Sequence, residues 1–160
     1  TPEVDALRAA FNLPGMKILQ FAFDGSPDNP YLPAAIPENS VVYTGTHDNH
    51  TTLGWFSSLN NEQKQPFYRY MQSDWQLNAD QFEMPKTLID LALSSKACLA
   101  IIPMQDILRL GGECRMNIPG TTENNWQWRF DWSQLTDAMV REFASAVHHY
   151  QRHPSIEATP

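Results

Sequence analysis

Apolar residues along this chain alternate between short continuous runs and stretches at helical spacing, the rhythm of successive βα units. Thr1 is placed to cap a helix with Pro2 at its first position, and Val4, Leu7 and Phe11 line one face of it. Leu13-Pro14-Gly15 ends that helix, and residues 17–23 read as a strand. Between 24 and 39 the prolines Pro27, Pro30, Pro33 and Pro37 fix the backbone too often for a helix and predict a long ordered loop. Residues 41–44 form a second strand-like run, followed by a helical region from about 52 to 72 with an interruption near Pro66. Residues 85–96 read as a helix with Leu88, Ile89, Ala92 and Leu93 inward, and the apolar run 97–102 as a parallel strand covered on both faces. The last helix is the clearest. Asp131 and Gln134 form a capping box, and Leu135, Met139, Phe143, Val147 and Tyr150 recur at helical spacing as a core-packing stripe. Residues 153–160 are polar and proline-bearing and are expected to be frayed or linker.

The three runs therefore predict an α/β arrangement of three parallel strands, adjacent in chain order, with helices on one side. Three such strands cannot close a barrel of eight, so alone they would leave strand edges and apolar faces exposed. At 160 residues and 42% hydrophobic content the chain has enough material for one domain with a core. Eleven Lys and Arg against eighteen Asp and Glu give a net charge of −7, which argues against a nucleic-acid or anionic-membrane surface. No apolar run approaches the ~20 residues needed to span a bilayer. Cys98 falls in the apolar strand and Cys114 in a loop, with no framework spacing. They read as reduced, buried or inert thiols of an intracellular, cytoplasmic protein.

Candidate chemistry is densest after the second strand, in Thr44-Gly45-Thr46-His47-Asp48-Asn49-His50-Thr51-Thr52-Leu53-Gly54-Trp55-Phe56. Short polar side chains at a strand's carboxyl end stand where barrel enzymes keep their chemistry. A His47-Asp48 pair there suits neighbouring sugar hydroxyls, and Asp48 can also stabilise developing positive charge. Further along, Ile102-Pro103-Met104-Gln105-Asp106 leads to Arg115-Met116-Asn117-Ile118-Pro119-Gly120-Thr121 and then to Asn125-Trp126-Gln127-Trp128-Arg129.

Taken in order, these segments resemble the amylomaltases, the 4-α-glucanotransferases of glycoside hydrolase family 77. The first is similar to that family's seventh-strand motif. The others resemble its proline-Met/Leu-Gln-Asp turn after the eighth strand, its Arg-Met-Asn-x-Pro-Gly-Thr loop and its Asn-Trp-x-Trp-Arg segment. Leu13-Pro14-Gly15-Met16-Lys17-Ile18-Leu19-Gln20-Phe21-Ala22-Phe23 looks like its sixth strand, and the resemblance runs from Thr1 to about Arg129. It implies the carboxyl-terminal part of a TIM-type (β/α)8 barrel over residues 1–152, with 153–160 as a tail. Family members carry three catalytic carboxylates. The nucleophilic Asp of the fourth strand and the acid/base Glu after the fifth fall outside this segment, and only the third, matching Asp48, lies inside it. The chain is thus expected to be the carboxyl-terminal third of an enzyme, inactive alone, with the amino-terminal part as its partner. The resemblance further implies substrate binding by His47, Asn117 and Phe21, maltooligosaccharides or α-1,4-glucan as substrate, retention of configuration, and no cofactor. His50 departs from the family pattern, which has an acidic residue there.

Each of these residues also has a structural reading. Asp48 sits in good helix-capping chemistry, Asn117 in a Pro-Gly turn, and Trp55, Trp126 and Trp128 in contexts that mostly pack. Strand alternation would put Phe21 and Phe23 on one face. Glu3, Asp24, Asp28 and Glu38 are available acids outside the family's nucleophile or acid/base context. Two other functions fit some of the same residues. One is a non-catalytic glucan-binding module, if the chain is complete as it stands. The other is a metallohydrolase site from His47, Asp48 and His50, which lacks a further ligand cluster.

Overall fold

The computed structural model describes residues 1–153, so the tail beyond His153 lies outside the described residues. Helix α1 (Pro2–Ala10) begins at Pro2, where a missing N–H costs nothing because first-turn amides have no partner within the helix. It buries none of its residues, and the stripe of Val4, Leu7 and Phe11 faces solvent. Strands β1 (Gly15–Ile18), β2 (Ser40–Tyr43) and β3 (Leu99–Ile101) then form one parallel sheet in that order. Met16, Val41 and Leu99 share one row of the register, and Lys17, Val42 and Ala100 the next. The expected order, direction and adjacency of the strands all hold.

Because side chains alternate across a strand, these two rows face opposite ways. Val42 points into the core, where it is fully buried with Leu19, Ile36, Phe67, Met71, Leu88 and Leu91. Phe67 is the hub of an aromatic cluster, its ring 4.8 Å from Phe23, 5.2 Å from Phe82 and 5.4 Å from Phe56. The other face is largely open: Met16, Leu99 and Ile101 are exposed, Val41 and Tyr43 half-buried, and Ile18 is its buried exception. Residues 97–102 are therefore not covered on both faces as expected, since helices pack against one side of the sheet only. Cys98 is likewise not buried. It is a free, exposed thiol ahead of β3, and Cys114 is free and half-buried.

The first strand is shorter than its apolar run. β1 stops at Ile18, and residues Leu19–Phe21 form a 3-10 turn. Strand alternation no longer applies there, so Phe21 and Phe23 do not share a face. Phe21 is exposed, edge-on to Tyr31 at 5.7 Å, while Phe23 packs into the core. The proline-rich connection to β2 is an ordered loop, as expected. Asn29 anchors it by donating to Phe21 O and accepting from Tyr31 N, and Ile36 plugs it into the core.

Helices α2 (Thr52–Ser58) and α3 (Asn61–Asp74) follow β2. The break falls at Leu59–Asn60, not at Pro66, because Asn60 and Gln63 build a reciprocal capping box that starts a new helix. Pro66 is accommodated inside α3. Helix α4 (Lys86–Ser94) buries Leu88, Ile89, Ala92 and Leu93 as its periodicity predicts. A short helix α5 (Met104–Ile107) follows β3, and α6 (Asp137–His149) closes the described chain. The Asp131–Gln134 box caps a 3-10 turn at Trp132–Gln134, whereas α6 itself is capped by Thr136. The Leu135-to-Tyr150 stripe is half-buried toward α4. Arg109 links Glu83 to Glu142 of α6, and the Arg152 guanidinium donates to the carbonyls of Leu93, Ser95 and Ala97. Among the described residues no helix is long and apolar enough to cross a membrane.

Candidate active site

Parallel strands deliver their carboxyl ends to one edge of the sheet, and the segments that follow β1, β2 and β3 meet there. The loop after β2 is a tight turn built by its own side chains. Asn49 Oδ1 accepts from Thr46 N at 3.0 Å and from Thr46 Oγ1 at 2.7 Å, and Asn49 N donates to Thr46 O at 3.1 Å. His47 and Asp48 stand at its crest, each side chain about half exposed, with His47 Nε2 3.3 Å from Asp48 Oδ1.

The segment after α5 closes on this crest. Asn117 Nδ2 donates to Asp48 Oδ1 at 2.6 Å, and Asn117 N donates to His47 O at 3.1 Å. Arg115 clamps the two loops together, donating from Nη2 to Asp48 O and from Nε to Asn117 O, both at 2.7 Å. The Trp126 ring lies 4.9 Å from the His47 ring, half exposed, on a backbone held by its N–H to Met116 O at 2.7 Å. Behind the crest is a hollow of about 170 Å³ lined by His47, His50, Gln105, Arg115, Met116 and Trp126. The third tether comes from the 3-10 turn that follows β1: Gln20 Nε2 donates to His50 O at 2.8 Å. Gly45 makes room for it, since a Cβ there would lie 2.6 Å from Gln20 Nε2.

Of the residues singled out in the sequence, His47, Asp48 and Asn117 come together. Asn117 does so through the carboxylate of Asp48 itself. Phe21 is set apart in an open groove with Gln20, Phe23, Asp24, Trp55 and Glu62. Trp55 packs with Phe23 and Phe56, and Trp128 stacks on Phe130, which leaves Trp126 as the tryptophan of the three beside His47. His50 turns away from the crest. Its imidazole fills the space above Gly54 and Gly112, and its buried Nδ1 has no hydrogen-bond partner. Burial, with help from the nearby Arg115 charge, pushes its pKa below the ordinary histidine value. The trio His47, Asp48 and His50 thus does not converge, and no cluster of His, Cys, Asp or Glu with metal-binding geometry occurs among the described residues.

Sequence reasoning gave no role to Arg115, Gln20 and Asp106. Asp106 is buried on α5 and accepts three hydrogen bonds: from Thr44 Oγ1 at 2.6 Å, Thr52 Oγ1 at 2.7 Å and Thr52 N at 2.9 Å. Burial raises its pKa, and the Thr44 hydroxyl and the Thr52 amide and hydroxyl oppose that rise. Arg115 and Asp106 both lie in motif segments quoted above, but Asp48, which Arg115 holds, and the threonines that Asp106 ties are more than fifty residues away in sequence.

A family model for 4-α-glucanotransferases, glycoside hydrolase family 77, matches residues 1–136. The chain belongs to that family. It is 51% identical over 153 residues to the 4-α-glucanotransferase of Thermus thermophilus, covering 92% of this chain and 30% of that one. The Synechocystis sp. 4-α-glucanotransferase is 51% identical over 144 residues, covering 86% of this chain and 26% of the relative. Among solved structures, the amylomaltase of Streptococcus agalactiae in complex with acarbose superposes with a TM-score of 0.87 at 31% identity. That match covers 96% of this chain and 30% of that one. The chain thus spans only 23–30% of the length of the glucanotransferases it matches. Its sheet and flanking helices correspond to part of the amylomaltase barrel, which fixes the fold class expected from the strand pattern.

Proposed function

We propose that this chain works as the carboxyl-terminal part of the catalytic barrel of a 4-α-glucanotransferase, residues 1–152, and that Asp48 supplies one of its catalytic carboxylates. The observation that carries the reading is the Asp48 carboxylate at the carboxyl end of β2, hydrogen-bonded by Asn117 and flanked by His47, in a chain of this family. Retaining transfer of an α-1,4-glucan passes through an oxocarbenium-like state flanked by a carboxylate nucleophile and a carboxylic acid. The motifs that would carry those two groups are not in this segment. The amino-terminal part of the enzyme is therefore its necessary partner, and the segment alone is inactive.

Within that reaction Asp48 contributes fixed negative charge where positive charge grows, which lowers the barrier only if the carboxylate is already in place. Asn117 holds Oδ1, and Arg115 holds the Asp48 backbone, so little reorganisation is needed. His47 presents its imidazole beside the same oxygen, suited to a vicinal sugar hydroxyl, and Trp126 limits its swing. Phe21, exposed after β1, offers an apolar face for a glucose ring in the neighbouring groove. A cytoplasmic setting is part of the proposal, supported by the two free thiols.

In a full-length glucanotransferase carrying this segment, Asp48→Asn keeps the shape and removes the charge. Maltotriose disproportionation should then fall by about 10²–10³-fold in kcat while maltooligosaccharide still binds. Near-normal disproportionation by that variant would remove Asp48 from the catalytic set.

A further inference from the structure

We propose that Asp106 is a positioning residue for Asp48, one buried carboxylate on α5 that ties both ends of the loop carrying His47 and Asp48. The proposal rests on the reading of Asp48 given above. Thr44 directly follows β2, and Thr52 is the first residue of α2, so the seven residues between them are the loop. Both roots of that loop converge on a single side chain. Asp106 Oδ2 receives the hydroxyls of Thr44 and Thr52, and Oδ1 receives the Thr52 amide. Thr44 and Thr52 are fully buried and Asp106 is 2% exposed, so water does not compete for these bonds.

The chemistry calls for a carboxylate. Three donors meet two oxygens, and an ionised carboxylate is an acceptor at every lone pair. An amide in its place would set an NH2 either toward the two hydroxyls or against the Thr52 N–H, so in either orientation at least one of the three donors loses its acceptor. Placing the Thr52 amide on an anion also suits the first turn of a helix, whose free N–H groups favour negative charge.

The consequence is a fixed spacing between two strand ends. Asp106 belongs to the segment after β3, as do Arg115 and Asn117, which hold Asp48 from above. The loop is thus gripped at its base and at its crest by one stretch of chain, residues 106–117. Removing the base grip lets the loop roots part while the crest grips remain, and Asp48 moves relative to the sugar. Misplacement by about 1 Å is enough to cost on the order of 10²-fold in rate.

The test is a double-variant cycle in a full-length glucanotransferase carrying this segment, followed by maltotriose disproportionation. Asp106→Ala should lower kcat by about 10–100-fold, with KM for maltotriose changed by less than about threefold. In an Asp48→Asn background the same change should cost less than about twofold more, because its effect passes through the missing charge. Thr44→Val and Thr52→Val each remove one hydroxyl with little change of shape. They should reproduce a smaller loss with the same dependence on Asp48, which keeps the test decisive if Asp106→Ala does not fold. Equal fold-losses in the two backgrounds would mean that Asp106 serves the fold at large, and the proposal falls. So it does if the threonine variants and Asp106→Ala all leave kcat unchanged. Full turnover by Asp48→Asn alone would instead sink the reading of Asp48, a result distinct from either.

Discussion

Asn117 offers the sharpest test of how the Asp48 carboxylate is held. Its Nδ2 donates to Asp48 Oδ1 at 2.6 Å, while its backbone N–H independently holds His47 O. Asn117→Ala therefore deletes the side-chain bond and keeps the backbone link, and the Arg115 clamp is untouched. A hydrogen bond to a charged group contributes about 1.5–3 kcal/mol, and a half-exposed acceptor belongs at the lower end. About 1.5 kcal/mol corresponds to roughly a tenfold change in rate. If the bond fixes a carboxylate that works on the transition state, that loss should appear in kcat/KM for maltotriose in a full-length enzyme, read as glucose release over time. The melting midpoint should fall by only the few degrees that one hydrogen bond accounts for, since Asn117 is half-buried and lies outside the core cluster. A kcat/KM within about twofold of the parent would show that Asp48 holds its position without Asn117. A loss as large as that of Asp48→Asn would show that Asn117 acts on the sugar in its own right.

Two further outcomes follow from the packing and from His50. Phe67 is fully buried at the centre of the aromatic cluster, so Phe67→Ala should destabilise by about 3–5 kcal/mol in denaturant unfolding. A loss under ~1 kcal/mol would mean that the cluster collapses around the gap. His50 has a folded-state pKa depressed by burial, so below its free value of ~6.5 the unfolded chain binds a proton that the folded chain refuses. Stability should therefore fall as pH drops through that value, and His50→Gln should flatten this part of the curve; parallel midpoint-versus-pH curves for the two proteins would refute it.

What was legible in the sequence follows from how local each signal is. The stripes on α4 and α6 are set by spacing within one helix; that on α4 is buried as read, whereas that on α6 is only half-buried and joins no core cluster. The parallel order of three strands followed from apolar runs separated by helical stretches. Element ends were harder, because they depend on competition between neighbours. The Asn60–Gln63 box, not Pro66, sets the break between α2 and α3, and Gln20 is used as a tether where a longer strand was expected. Burial of residues 97–102 was overestimated because an apolar run says nothing about how many layers cover it. At the site, His47, Asp48 and Asn117 could be named because the motifs holding them resemble a known family. The orientation of His50 and the bonds to Asp106 join positions far apart in sequence, and no pattern along the chain encodes them.

The seat of His50 constrains the order in which this region can change over evolutionary time. Its imidazole occupies the volume that side chains at Gly54 and Gly112 would need. At Gly112 the three nearest obstacles all belong to His50, so a methyl group is barred there for as long as position 50 keeps its imidazole. At Gly54 the backbone of Gly112 also stands 2.7 Å from where a Cβ would go, and that barrier survives any change at position 50. Replacing Gly112 before His50 therefore passes through a steric clash, and Gly54 stays closed in either order. One histidine thus works as a historical ratchet, making change at Gly112 conditional on a prior change at its own position.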